Sequence, residues 1–398
     1  MQALGAKSWS REIARWPPRD SYAPVASQAV STENQVGAAR EPGLGGEQVS
    51  TRREPQRLPL QVLGSVLDIS IVIPTHNRPA LVQRTIESVL GQTVPAREII
   101  IVDNGTNSET EQALQAYGDR LTYMRMPPVG VQAARTAGMD AATSEWVALL
   151  DDDDLYRPEF IEHVSRAAAD DRTDLISTDL RKFVQELSPE NQLPLTNFGT
   201  APPAVWEGIP QPSGDLSHSF VGQFPVERLL RFIPFYPSTL VAKRSLIARA
   251  GPQDPGVKGM RSEDIEYTAR LLTHGSLSIV WVPLVDYRIH AGNDSGGDWK
   301  AAVGRFQVFE YMDRNGDYLS PAVRAAVAAD IPVRAPRAFD LAFATRQFDI
   351  ARSIAPHMRS GDWTLKRKIK LQFLRIERAR ARLSSSRGVR KAQGATVG

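Results

Sequence analysis

Residues 146–154 read Trp146-Val147-Ala148-Leu149-Leu150-Asp151-Asp152-Asp153-Asp154. An unbroken apolar run passes directly into four consecutive aspartates. A short continuous apolar run suits a strand buried on both faces of a sheet. The aspartates then fall at the carboxyl end of that strand. Like charges in so small a volume make each harder to ionise. A hard divalent cation with oxygen ligands offsets the repulsion, and Mg²⁺ commonly shares its shell with substrate phosphates. A plainer reading stays open: the aspartates cap the helix expected from Pro158, where acidic residues also gain from the helix dipole.

Working outward, Asp68-Ile69-Ser70-Ile71-Val72-Ile73-Pro74-Thr75 is a second buried-strand run, and Pro79 to Leu90 follows with helical patterning. Pro79 suits a first helical position. Glu98-Ile99-Ile100-Ile101-Val102 is a further strand and ends at Asp103-Asn104-Gly105-Thr106. Residues 108–117 read as helix, 121–126 as strand, 130–142 as an Ala-rich helix, 158–169 as helix and 175–178 as strand. Strands alternating with helices imply crossovers and a mostly parallel sheet covered on both faces. Ligands bind such sheets at the carboxyl ends of strands. Thr75 to Arg78, Asp103 to Thr106 and Asp151 to Asp154 all lie at those ends. Asp103 and Asn104 offer hydrogen-bonding groups, and Gly105 permits close backbone approach. Asn-Gly is equally an ordinary turn.

Residues 185–235 are rich in Pro, Gly and Ser and read as an extended loop region. Strand character returns at Ser238–Ala242, a helix runs from Ser262 to Thr273 and ends near Gly275, and 277–289 reads as strand. In Arg261-Ser262-Glu263-Asp264-Ile265-Glu266, Ser262 suits an N-cap with the acids in the first turn. A carboxylate placed beside an acceptor hydroxyl is also a general base. Arg288 and His290 come after the last strand, where cationic groups can stabilise a departing diphosphate. From Trp299 onward the pattern is mainly helical. The last helix, about Thr364 to Leu383, lines up Leu365, Ile369, Phe373, Ile376 and Leu383 on one face. Its other faces carry Lys366, Arg367, Lys368, Lys370, Arg375, Arg378, Arg380 and Arg382. That composition suits peripheral contact with an anionic membrane through residues 361–391. It equally suits a helix packed on the rest of the chain with its cations in solvent.

The 398 residues are 42% hydrophobic, enough for one large domain with appendages or for two domains. A net charge of +3 argues against a whole-chain nucleic-acid binder, so no nucleic-acid partner is expected. The absence of cysteine excludes disulfides, thiolate catalysis and Cys-ligated zinc. The first residues lack the apolar core of a secretion signal, and no apolar run approaches the roughly 18 residues of a membrane span. The expected location is cytoplasmic, peripheral at the inner face of the plasma membrane if the basic helix binds there. Residues 1–66, rich in Arg, Pro, Gln, Ser, Glu and Gly, read as a disordered extension.

Taken together, these stretches resemble the family 2 glycosyltransferases of the GT-A fold. The residues that carry the resemblance are Ile71-Val-Ile-Pro-Thr-His-Asn-Arg-Pro79, Ile101-Val-Asp-Asn-Gly-Thr106, Gly130 through Gly138, Leu149-Leu-Asp-Asp-Asp-Asp154, and Ser262-Glu263-Asp264 followed by Arg270 and Gly275. It spans about residues 67–295 and implies a GT-A, Rossmann-like, mostly parallel sheet with helices on both faces. It divides the chain into a nucleotide-sugar half at 67–180, an acceptor half at 181–297 and a helical C-terminal region at 298–398.

The resemblance implies inverting transfer from a nucleotide sugar, a UDP-sugar by default, to a carbohydrate or lipid-linked acceptor in polysaccharide or glycolipid biosynthesis. Pro74, Thr75, Asn77 and Asp103 would line the nucleoside pocket, with Asp103 on the base. Arg135, Asp151, Asp152, Arg288 and His290 would complete the donor site. Mg²⁺ or Mn²⁺ would bind Asp153 directly, with Asp151 nearer the ribose, although Asp152 and Asp154 compete for that register. Asp264, paired with Glu263, would be the general base. Thr136 and His76 depart from the family, which often has Asn and Tyr there. One rival is a nucleotidyltransferase, against which stands the lack of a Gly-rich, basic phosphate loop after the first strand. Another is an inactive carbohydrate-binding relative, against which stand the intact aspartates and Glu263-Asp264.

Overall fold

The computed structural model describes residues 67–184, 196–214, 216–289 and 298–378. The extension expected at 1–66, His290 and the end of the basic tail lie outside the described residues.

Strand β1 (Ile69–Thr75) is buried along its whole length. Helix α1 (Pro79–Leu90) starts on its proline and buries Val82, Thr85, Ile86 and Val89, the spacing of one helix face. Then come β2 (Glu98–Asp103), α2 (Glu109–Leu114), β3 (Thr122–Arg125), α3 (Val131–Ala141), β4 (Trp146–Leu149), β5 (Leu155–Tyr156), α4 (Phe160–Ala168) and β6 (Leu175–Val184). The chain continues through α5 (Pro203–Trp206), β7 (His218–Gly222), β8 (Leu240–Lys243), α6 (Arg244–Ala250), α7 (Asp264–His274) and β9 (Leu277–Ile289). It closes with α8 (Asp298–Asn315), α9 (Pro321–Ala344) and α10 (Phe348–Ile354), and residues 365–378 form the last described helix, α11.

The strands form one sheet in the order β3-β2-β1-β4-β8-β6-β9-β5, with β7 also on β9. From β3 to β4 the pairing is wholly parallel. β8 enters antiparallel to both β4 and β6, and β6 then runs parallel to β9 from Leu175 to Val184. The α/β class and the parallel run of strands with helices on both faces follow the sequence expectation. The reversed β8 is not announced by strand-helix alternation, nor is the antiparallel pairing of β5 and β7 on β9.

The pleat of β1 explains the covering on both faces. Ile69, Ile71 and Ile73 join α1 and α4 in one core, through Val82, Ile86, Phe160 and Val164. Val72 turns the other way and joins Ala134 and Met139 of α3. Here α3 meets the sheet at a glycine. A Cβ built on Gly138 would lie 2.2 Å from Cγ1 of Val72.

One expectation changes. Residues 196–214 and 216–235 are not an extended loop: they hold α5 and β7, and bury Phe198, Val205, Phe224, Leu229 and Phe235 in the core beneath α3. Proline and glycine punctuate that stretch, but its aromatic residues supply enough apolar area to fix it. The C-terminal helices share the core of the sheet. Phe306, Phe309, Ile331 and Phe339 of α8 and α9 pack in the same cluster as the sheet.

Candidate functional site

Three strand ends converge. Thr75 ends β1 in register with Asp103, which ends β2, and β4 pairs with β1 on its other side and leads into the aspartates. Pro74 lies one step back in β1, opposite Val102.

Asp103 is fully buried. Its Oδ1 accepts the Gly105 N–H at 2.7 Å and its Oδ2 accepts the Tyr123 hydroxyl at 2.7 Å. Burial and this carboxylate push the Tyr123 phenol far up, so it remains a donor. Asn77, at φ 55°, clamps the same loop. Its Oδ1 accepts the Thr106 N–H at 2.8 Å and its Nδ2 donates to Thr106 Oγ1 at 2.9 Å. A Cβ on Gly105 would lie 2.6 Å from Asn77 Oδ1 and 2.8 Å from Asp103 Oδ1, so any larger residue there would displace both side chains. The Asn-Gly turn is therefore built around Asp103. His76 joins it, with Nδ1 2.8 Å from the Asn104 carbonyl.

The aspartates alternate. Asp152 and Asp154 are 5% and 1% exposed, whereas Asp151 and Asp153 are only partly covered. Asp152 accepts the Thr75 hydroxyl at 2.7 Å and the Arg78 guanidinium at 3.0 Å. Arg78 also reaches Asp153 at 3.1 Å. Asp154 accepts the Ser238 hydroxyl at 2.6 Å and the Arg288 backbone N–H at 3.1 Å. The Thr85 hydroxyl of α1 donates to the carbonyls of Asp152 and Asp154. Burial pushes Asp152 up to about 6 against the pull of Arg78. Burial, and then the charges of Asp153 and Asp151, push Asp154 well up. None of the four caps α4, whose N-cap residue is Glu159. Asp152 and Asp154 are the buried pair, and Asp151 and Asp153 the more accessible one.

Arg135, on α3 and 5% exposed, donates to Asp151 Oδ1 at 2.5 Å. Burial works against its charge, but Asp151, Glu263 and Asp264 together hold it firmly protonated. This buried arginine thus feels the acidic run and the start of α7 at once. At that start Ser262 stands at φ 69°, a left-handed conformation that is strained for a serine. The N-cap position of α7 is Glu263, so Ser262 is not the cap. Burial, and then Asp264, push Glu263 up to about 7. Burial also raises Asp264, with Arg135 opposing and Asp151 adding to the rise.

Arg288 lies at the end of β9 and braces the run from behind: its Nε donates to the Asp153 carbonyl at 2.8 Å, and its guanidinium stands 4.9 Å from the Phe183 ring centroid. Thr136 accepts the Gln253 N–H at 3.1 Å and so ties α3 to the segment leading into α7. Sequence reasoning did not single out Arg78, Thr85, Tyr123 or Ser238. Arg78 alone carried a local signal, as a cation just past a strand end. The others come from elements that only the sheet order brings near.

Among the described residues no three His, Asp or Glu side chains converge on a metal by themselves. Two accessible carboxylates still fit a hard divalent ion, because Mg²⁺ is usually held by one or two carboxylates with phosphates and water completing the shell.

The family described as Glycosyl transferase family 2 matches residues 70–217. An uncharacterised glycosyltransferase of Rickettsia prowazekii is 35% identical over 95 residues, 24% of this chain and 30% of that protein. Validoxylamine A glucosyltransferase of Streptomyces hygroscopicus subsp. jinggangensis is 26% identical over 227 residues, 52% of each chain. Among solved structures, S. aureus TarS 1-349 in complex with UDP-GlcNAc gives a TM-score of 0.49 at 14% identity, over 74% of this chain and 83% of that one. The chain spans between about a third and a half of the length of these two curated relatives.

Proposed function

We propose that this chain, a member of glycosyl transferase family 2 through residues 70–217, moves a sugar from a nucleotide-sugar donor to an acceptor hydroxyl with inversion at the anomeric carbon. The observation that carries the reading is Arg135, one buried cation facing both the strand-end aspartates and the carboxylates of α7. It brings a donor-binding chemistry and a proton acceptor within one electrostatic neighbourhood.

In this reading the nucleoside lies along Pro74, Thr75, Asn77 and Asp103. A carboxylate offers about four lone-pair positions, so Asp103 retains capacity after accepting Gly105 and Tyr123. It would take the imide N–H that uracil and thymine share; uridine is the default donor by the resemblance alone. The diphosphate lies toward Asp151 and Asp153. A divalent cation held by that pair, Mg²⁺ or Mn²⁺, would neutralise charge on the leaving group. Arg288 and His290 belong to the donor side of the same reading.

Asp264 removes the proton from the acceptor hydroxyl. The freed oxygen forms the new bond to the anomeric carbon from the opposite face. The bond to the nucleoside diphosphate breaks, and its electron pair leaves on the phosphate oxygen. Burial raises the affinity of Asp264 for a proton, and the Arg135 charge opposes that rise. Glu263 flanks it as the second titrating group. The acceptor is a carbohydrate or lipid-linked hydroxyl, in polysaccharide or glycolipid biosynthesis, and it approaches from the α7 side.

The test is a calorimetric screen of uridine, thymidine and guanosine sugars against the full chain, with Mn²⁺ and with a chelator, followed by turnover of the best binder. The expected outcome is metal-dependent binding of a uridine sugar and release of the nucleoside diphosphate. Binding without turnover would mark a carbohydrate-binding relative. No binding of any nucleotide sugar would sink the assignment.

A further inference from the structure

We propose that α11 docks the chain on an anionic membrane surface, lying in its plane with an outward apolar stripe. One face of α11 is already used inside the molecule. Leu374 is fully buried, and Arg367 and Lys370 bind Asp340 of α9 at 2.7 Å and 2.6 Å. The opposite face is open. Leu365, Ile369 and Ile376 are 77%, 62% and 52% exposed. Helical spacing puts them on one stripe. Phe373 is at its edge, 40% exposed, with its ring 5.7 Å from Phe343 and 5.4 Å from Phe348. Eight large hydrophobic residues are exposed among the described residues, and half of them belong to this one helix. An apolar patch of that kind marks an interaction surface.

The charges name the occupant. Exposed Lys366, Lys368 and Arg375 flank the stripe. Across residues 365–378 there are six Lys or Arg against the single acid Glu377, and from 379 to 398 the sequence adds Arg380, Arg382, Arg387, Arg390 and Lys391 with no acid. A second copy meeting this stripe face to face would set those cations against themselves. A bilayer with anionic headgroups takes the apolar side chains and the cations together. Among the described residues no helix is long and apolar enough to cross a membrane, so α11 lies on the surface. The two readings of the sequence are thereby reconciled. The helix packs on the chain with one face and presents the other.

The full chain would be sedimented with vesicles of phosphatidylcholine alone and of phosphatidylcholine mixed with phosphatidylglycerol. Two variants would be compared: Leu365→Ser/Ile369→Ser/Ile376→Ser and Lys366→Glu/Lys368→Glu/Arg375→Glu. Binding is expected to the mixed vesicles and not to the neutral ones, and to fall about tenfold or more in each variant. It should also weaken with added salt. Unchanged unfolding midpoints would show that both variants fold, since every altered side chain is exposed. Indifference to lipid charge, or an apolar variant that binds like the parent, would overturn the proposal. So would light scattering that finds a dimer which the apolar variant splits, because the stripe would then belong to a second copy.

Discussion

Carboxylates crowd together at two places in this molecule, the end of β4 and the start of α7. At the end of β4 the buried ones are met by donors from distant segments, Thr75 and Arg78 on Asp152, Ser238 and the Arg288 amide on Asp154. At the start of α7 the chain turns through left-handed Ser262, and Glu263 and Asp264 are met by their own backbone amides. Both places raise the affinity for protons, yet by different means. Donors from across the sheet make a carboxylate part of the architecture. Burial without such donors leaves one available to titrate, which is the usual condition of a catalytic acid or base.

That contrast can be broken most decisively at Asp264. Asp264→Asn should lower transfer by roughly a thousandfold, the scale of a lost general base, while calorimetric affinity for the donor stays near that of the parent. Transfer surviving at the parent rate would move the base elsewhere and dissolve the distinction. The architectural side is probed by Asp154→Ala, which strips an acceptor from Ser238 and the Arg288 amide. It should destabilise the fold by about 2–3 kcal/mol in urea melts. A variant as stable as the parent would show that Asp154 is not framework.

A smaller effect sharpens the titrating side. Glu263 is pushed up to about 7, above its unfolded value. The folded chain then holds that proton more tightly than the unfolded chain does, so stability falls as pH climbs from about 4 toward 7, with the whole penalty present above 7. Glu263→Gln removes the penalty. It should stabilise the fold by about 2 kcal/mol near pH 8 and by almost nothing near pH 4. Equal stabilisation at both pH values would mean that Glu263 does not titrate in this range.

Much of this was readable from the sequence, and the reasons are local. β1, β2 and β4 are unbroken apolar runs, and such runs declare buried strands whatever surrounds them. The alternation of strands and helices puts Asp103 and the aspartates at the carboxyl ends of strands, and the sheet sets those strands on the two sides of β1. The antiparallel insertion of β8 between β4 and β6 was not readable, because no short-range pattern encodes which strands become neighbours. Ser238 and Arg288 reach Asp154 only through that sheet order, so their role was hidden with it. The split between Asp151/Asp153 and Asp152/Asp154 was hidden for the same reason. Four identical letters carry no sign of which side chains turn inward. The described stretches between 196 and 235 misled because proline and glycine were weighed above Phe198, Phe224 and Phe235.

The contact of α3 with the sheet has a last consequence. Nothing but a hydrogen atom separates Gly138 from Val72, and Arg135 lies one turn before it on the same face. Most core contacts absorb small changes by switching rotamers on both sides, but the glycine has none to switch and Val72 and Val102 are fully buried. The height of the guanidinium above the strand ends is therefore gauged like a part on a fixed shim. A single methyl group at position 138, far from any reacting atom, would detune the whole centre.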